Sequence, residues 1–297
     1  MSKAIVSQNA PVLLVGGGPT HRDDWSLASR CGCVVAVDGG ADAALANRVT
    51  PDFVIGDLDS ISGTAHDKLA DRVIAVPEQD TTDFDKTLRN VDAPLIYAIG
   101  FTGARMDHSL AVLSGLVKAP KSRCIVVGEV DTVCLAPERL DFRDVTAQTR
   151  VSLFPMGPAR ASSTGLKWAL DGIRFSPDSA IGTSNEALGG AVTIETYDPK
   201  MLLILPRTLI HVLAEALRAA PNWWVLKTGC GQQFGILTAR PPRDVSLYFS
   251  DISAPVWRML SIAASSGTRC VPSPRIDSDA ADTALIAPRP LRSMHGT

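Results

Sequence analysis

The chain is 297 residues long, with 45% hydrophobic and 20% charged residues and a formal net charge of −2. That balance excludes a general electrostatic pull toward nucleic acid or an anionic membrane, so a phosphate ligand must be held by local geometry or a metal ion. The length favours two domains over one, each large enough for its own core.

No apolar run reaches the ~18 residues needed to span a bilayer. Met1 to Pro11 lacks the basic and apolar blocks of a secretory leader, so the expected location is cytoplasmic. Six cysteines (Cys31, Cys33, Cys124, Cys134, Cys230 and Cys270) show no paired zinc spacing and read as reduced, structural thiols.

From Pro11 to Val127 short apolar runs alternate with helix-like segments, which predicts an α/β domain with a mainly parallel sheet and helices on both faces. Predicted strands are Val12 to Val15, Val34 to Val37, Phe53 to Ile55, Val73 to Val76, Leu95 to Ile99 and Cys124 to Val127. Predicted helices are His21 to Ser29, Ala41 to Asn47, Thr64 to Leu69, Thr82 to Asn90 and Asp107 to Val117. Ligands bind such sheets at the carboxyl ends of the strands. Four polar loops are therefore expected on one rim: Gly16-Gly17-Gly18-Pro19, Asp38-Gly39-Gly40, Gly56-Asp57-Leu58-Asp59-Ser60, and Gly100 to Asp107.

After Glu129 the apolar stretches shorten and are separated by Gly, Pro, Ser and Thr, as in a small all-β domain with strands at Val151 to Phe154, Gly165 to Leu170, Ala191 to Tyr197 and Met201 to Leu205. An amphipathic helix follows through Leu209, Val212, Leu213, Ala216 and Leu217. The division expected is 1–130, 131–220 and a C-terminal extension over 221–297. That extension holds possible strands at Trp223 to Leu226 and Gly235 to Leu237 and, from Pro272, a composition typical of disorder.

Asp57 and Asp59 stand two residues apart directly after a strand, and in extended backbone such positions point the same way. Converging carboxylates repel unless a hard cation such as magnesium neutralises them. Taken alone the pair reads as a solvated, Asp-rich turn. It is not alone: Gln79-Asp80-Thr81-Thr82-Asp83-Phe84-Asp85-Lys86 follows the next strand and opens a helix, with Thr81 or Thr82 as cap, Asp83 as a further ligand and Lys86 within reach of a phosphate oxygen. Gly103-Ala104-Arg105-Met106-Asp107-His108 adds an arginine suited to bidentate phosphate contact; its plainer reading is a strand-to-helix turn capped by Asp107.

These blocks, in this order, resemble the thiamine pyrophosphokinase family. The resemblance rests on Asp38-Gly39-Gly40-Ala41, Pro51-Asp52 with Gly56 to Ser60, Gln79-Asp80 with Thr82-Asp83, and Gly103 to His108. It continues through Gly165-Leu166-Lys167-Trp168-Ala169-Leu170 and Gly182-Thr183-Ser184-Asn185-Glu186. It implies an α/β catalytic domain followed by a β-sandwich domain, a homodimer with thiamine between subunits, ATP as co-substrate and Mg2+ held by Asp57, Asp59 and Asp83. Asp38, Gly39, Gln79, Asp80, Thr82 and Asp107 would line the ATP and thiamine pocket, with Trp168, Ser184 and Asn185 on the thiamine side. Read without the resemblance, Trp168 belongs to a core and Ser184-Asn185 to an ordinary turn.

The implied reaction moves the pyrophosphoryl group of ATP to the hydroxyl of thiamine, releasing AMP. Magnesium, Lys86 and Arg105 would offset phosphoryl charge, and Asp83 or Asp107 would orient or deprotonate the alcohol. Two rivals remain: a pyrophosphokinase for another heterocyclic alcohol such as a pterin, and a catalytically silent nucleotide- or thiamine-binding regulator.

Overall fold

The computed structural model describes residues 4–76, 80–221 and 223. Gln79, all but the first residue of the strand predicted at Trp223 to Leu226, the strand predicted at Gly235 to Leu237, and the stretch from Pro272 lie outside the described residues.

The elements run in the order β1 (Val6–Ser7), β2 (Val12–Val15), β3 (Cys33–Val37), α1 (Gly40–Ala46), β4 (Phe53–Gly56), α2 (Gly63–Leu69), β5 (Val73–Ala75), α3 (Asp83–Asn90), β6 (Val91–Asp92), β7 (Ile96–Ile99), α4 (Met106–Lys118) and β8 (Cys124–Val127). Then follow β9 (Asp131–Leu135), β10 (Arg139–Val145), β11 (Arg150–Pro155), β12 (Ala159–Thr164), β13 (Arg174–Phe175), β14 (Gly182–Glu186), β15 (Gly190–Thr196), β16 (Met201–Pro206) and α5 (Ile210–Ala219). The helix predicted near His21 is a 3-10 helix, Arg22–Arg30.

Ten strands form one sheet in the order β14-β11-β16-β9-β8-β7-β2-β3-β4-β5. From β8 to β5 every neighbouring pair is parallel. β2 is the hinge of the topology: the chain winds outward to β3, β4 and β5, then returns to β7 on the other side. The connections from β2 and β7 thus run to opposite sides, which makes this pair the switch point at whose strand ends such sheets bind ligands.

Both faces of β2 are buried, as a central parallel strand requires. Leu13 and Val15 enter one core with Leu27 and Ala44, while Val12 and Leu14 enter the other with Phe84, Leu88, Val112 and Leu116. The continuous apolar runs in the sequence record this two-sided burial.

At β8 the pairing changes hand. β9 lies antiparallel to it, and β16, β11 and β14 extend the sheet in antiparallel fashion. A second, four-stranded antiparallel sheet, β10-β15-β12-β13, contributes Leu140, Phe142, Val192 and Ile194 to a core shared with Val151, Leu153, Leu203, Leu205 and, from α5, Leu213 and Leu217. The architecture is thus an α/β part followed by an antiparallel β sandwich.

Among the described residues one predicted strand is absent: Gly165 to Leu170 is a loop in which Gly165 has a φ of +78° and Leu166 makes an isolated bridge to Ala187. The buried amide of Asn185 is the reason. Its Oδ1 accepts from the Trp168 N–H at 3.2 Å and its Nδ2 donates to the Trp168 carbonyl at 2.7 Å, taking both backbone groups that a ladder would use.

Candidate functional site

The strand ends around β2 and β7 enclose a cavity of about 940 Å³, whose lining includes Gly16 to Gly18, Asp38, Asp59, Thr82, Asp83 and Arg105. Its floor is backbone. The Gly16 N–H donates to the Ile99 carbonyl at 2.8 Å and the Gly18 N–H to the Gly100 carbonyl at 2.8 Å. A Cβ on Gly16 would stand 2.5 Å from the Gly100 carbonyl oxygen, so the two loops approach this closely only as glycines.

Three carboxylates meet beside the cavity; Asp38 and Asp59 line it, and Asp57 stands behind them. Oxygens of Asp38, Asp57 and Asp59 lie within 4.8 Å of one another. Asp38 ends β3 in the left-handed region (φ 48°) and is buried. Burial pushes its carboxyl above the ordinary carboxylate range; Ser60 pulls it back by hydrogen bonding, and the charges of Asp83 and Asp59 raise it further. Asp57 and Asp59 do not converge through extended backbone, as the spacing alone predicts. Leu58 between them has a φ of 70° and packs on the core of Ala36, Ala41, Val54, Ala65 and Leu69, so an anchored turn presents the acids.

The rest of this loop is tied to α1. The Asp42 carboxylate accepts from the Ser62 N–H at 2.9 Å and from the Ser62 hydroxyl, and Ser62 caps α2 by accepting from the Ala65 N–H. Sequence reasoning passed over Asp42. Its position four residues after Asp38, on a helix beginning at the rim, was the available signal.

Thr82 caps α3 as expected, its hydroxyl accepting from the Asp85 N–H at 3.2 Å, with Asp83 and Asp85 in the favourable first turn. Asp83 lines the cavity but stands outside the carboxylate trio; the third member is Asp38. Lys86 is not among the residues that line the cavity. Its side chain is 2% exposed, with Nζ 3.0 Å from Asp83 Oδ1 and 3.5 Å from Asp57 Oδ2, so its expected reach to a phosphate is corrected by two nearer carboxylates.

Arg105 lines the cavity and is the N-cap residue of α4. Its guanidinium holds Asp107 in a fork, at 3.1 and 2.5 Å. The hydrogen bond from Arg105 keeps the Asp107 carboxyl below its ordinary range. Asp107 is therefore neither the cap of α4 nor among the lining residues. Asp80 is exposed, and it too is absent from the lining.

Trp168, Ser184 and Asn185 are together, but on the sandwich. Trp168 is 52% exposed, so the core reading of it is corrected, and the Lys167 ammonium sits 4.5 Å from its ring centroid. Asn185 is buried on β14 rather than placed in a turn. Ser184, at a φ of 60°, donates from its N–H to Ser152 Oγ. The described cysteines are free thiols, and burial pushes Cys31, Cys33 and Cys134 up to about 12, which leaves them inert.

The donor set suits a hard divalent cation: three carboxylates, no nitrogen or sulfur, beside backbone N–H groups and an arginine. Fold and rim together define the class, an α/β protein with a carboxylate-lined crevice at its strand ends, joined to an antiparallel β sandwich.

Comparison with known proteins narrows this. The family model "Thiamin pyrophosphokinase, catalytic domain" matches residues 25–127, and "Thiamin pyrophosphokinase, vitamin B1 binding domain" matches residues 139–201, together more than half of the chain. The chain belongs to the thiamin pyrophosphokinase family.

Thiamine pyrophosphokinase 1 of Arabidopsis thaliana is 30% identical over 172 residues, covering 52% of this chain and 64% of that protein. Thiamin pyrophosphokinase 1 of Caenorhabditis elegans is 27% identical over 181 residues, 54% of this chain and 74% of that protein. The chain thus spans slightly under two thirds of the Arabidopsis relative. Among solved structures, thiamin pyrophosphokinase from Candida albicans superimposes with a TM-score of 0.57 at 18% identity, over 69% of this chain and 92% of that one. The yeast enzyme gives 0.56 at 16%, over 72% and 94%. These two likenesses bear on the fold. Among the described residues no helix is long and apolar enough to cross a membrane.

Proposed function

We propose that this chain transfers the pyrophosphoryl group of ATP to the hydroxyl of thiamine, giving thiamine diphosphate and AMP. The observation that carries the reading is the meeting of Asp38, Asp57 and Asp59, two of which line a glycine-floored cavity, within a stretch matched by the family's catalytic model. On this reading residues 1–130 hold ATP and 131–220 supply the thiamine contacts.

Asp38, Asp57 and Asp59 would hold Mg2+, with Asp83 beside them; when bound it would neutralise phosphate charge. The remaining work falls to the chain itself. Gly16 to Gly18 and Gly100 let the triphosphate approach the backbone without meeting a Cβ. Arg105, exposed at the mouth, exchanges Asp107 for a phosphate and binds it through two N–H groups. Asp83, a third exposed and lining the cavity, is better positioned than Asp107 to orient the alcohol and take its proton. Trp168 offers an aromatic face to the cationic thiazolium.

The test is to incubate protein, ATP, magnesium and thiamine, with a pterin alcohol in a parallel reaction, and to separate the products. Equal amounts of AMP and thiamine diphosphate are expected. AMP formed only with the pterin would move the substrate, and binding without turnover would leave a silent regulator.

A further inference from the structure

A single buried ammonium stands among the rim carboxylates. Lys86 sits in the second turn of α3, with its N–H bonded to the Thr82 carbonyl at 2.9 Å, and its Nζ spans from Asp83 on the same helix to Asp57 at the end of β4. The ammonium thereby ties the start of α3 to the end of β4, beyond the packing of Phe84 and Leu88 near Ile55. Asp57 and Asp83 flank it, Asp57 belongs to the trio with Asp38 and Asp59, and Arg105 at the mouth is occupied by Asp107.

We propose that Lys86 is a positioning residue: a resident cation that holds the acidic loop and the start of α3 together before a metal arrives. This rests on the carboxylate trio being a metal seat. A direct phosphate contact is the alternative, and the geometry opposes it. Lys86 is almost wholly covered, and turning it outward would strip a counter-charge from Asp83 and Asp57 at once. Its Nζ stands 3.0 Å from Asp83 and 3.5 Å from Asp57, so the buried cation is paired on both sides. With this charge built in, the metal-free site keeps its shape, and a metal adds comparatively little to the stability of the fold.

Lys86→Met removes the charge at similar bulk and leaves the carboxylates facing one another. Thermal melting of the full chain, with ATP and thiamine absent, reads the effect in EDTA and during titration with manganese. Lys86→Met should melt roughly 6–15 °C below wild type in EDTA, and manganese should raise its midpoint by more than it raises that of wild type. Lys86→Arg, which keeps the charge, should remain near wild type. If Lys86→Met does not accumulate as folded protein, Lys86→Met with Asp83→Asn removes one carboxylate along with the ammonium and should show the same enlarged response.

A manganese shift in these Met variants no larger than that of wild type, or a Lys86→Arg that melts as low as Lys86→Met, overturns the role of Lys86. A wild type that gains no stability from manganese removes the metal seat itself, and this role with it.

Discussion

Asp38→Asn should make the metal-free protein more stable while weakening its metal site. In the trio, Asp38 is the buried member, and its oxygen stands within 4.8 Å of oxygens on Asp57 and Asp59. Two unit charges at that distance repel by about 3 kcal/mol at an effective dielectric of ~20 and by under ~1 kcal/mol in water. Asp59 is open to solvent and its share is screened, so relief of roughly 1–3 kcal/mol is expected from the neutral amide. That corresponds to a rise of ~2–10 °C in melting temperature for a folded body of this size. The weak 3.4 Å bond from the Ser60 N–H survives, because an amide oxygen accepts it as well.

The pH dependence has a definite sign. The folded protein holds the Asp38 proton more tightly than the unfolded chain does, so ionising Asp38 costs stability above its folded pKa. That cost vanishes as the pH falls below the unfolded value. The gap between variant and wild type should therefore be present at neutral pH and close on acidification. Melting curves in EDTA across that range, repeated with saturating magnesium, test both parts. Magnesium should narrow or reverse the order, since wild type gains binding energy that Asp38→Asn loses. An Asp38→Asn that melts below wild type in EDTA at neutral pH would refute the charge argument.

Other outcomes follow from the same geometry. Asp57→Asn and Asp59→Asn should each abolish formation of thiamine diphosphate while circular dichroism stays unchanged, because Lys86 retains Asp83; near-normal rates in both would return the loop to a solvated turn. Gly40→Ala should lower stability by about 1–3 kcal/mol or more in denaturant melts, since its Cβ would stand 1.9 Å from the Val15 carbonyl oxygen and force α1 off β2. A chain ending at Pro221 should be about 3–5 kcal/mol less stable than one ending after Trp223. That indole is buried, joins the core of Leu14, Leu135 and Leu202, and donates from Nε1 to the Ala136 carbonyl at 3.1 Å. Equal melting of the two truncations would show the indole to be dispensable.

The α/β part was readable because burial on both faces writes continuous apolar runs, and the structure returns β2 and β8 at the residues predicted. The sandwich was less readable. β10 alternates Arg139, Leu140, Asp141 and Phe142, but β14 is Gly-Thr-Ser-Asn-Glu, a strand whose one buried polar side chain serves a neighbouring loop. Nothing in local composition marks that. The acidic loop was found from its residue types, whereas the identity of the third carboxylate depended on the left-handed turn at Asp38 and on Leu58 docking under α1. Lys86 misled for a similar reason: spacing places it on the same helical face as Thr82, and only tertiary packing shows that Asp57 closes over it.

The sheet order bears on how the two halves cooperate. β14, which carries Ser184 and Asn185 and steadies Trp168, lies five strands from β7 at the edge of the cavity. At ~4.8 Å per strand that is about 24 Å, too far for a side-chain movement to bridge. If Trp168 serves thiamine, it must serve the cavity of a second copy, which is the homodimer proposed from the family resemblance. Mixed dimers separate the alternatives. Neither Asp57→Asn nor Trp168→Ala alone should turn over well, yet after the two are unfolded and refolded together, one site in each mixed dimer has an intact acidic rim and an intact indole. Activity should return to about a quarter of the wild-type level, since half of the dimers are mixed and each has one good site. No recovery, with mixed dimers demonstrated by mass, would place rim and indole in the service of one chain and refute the shared site.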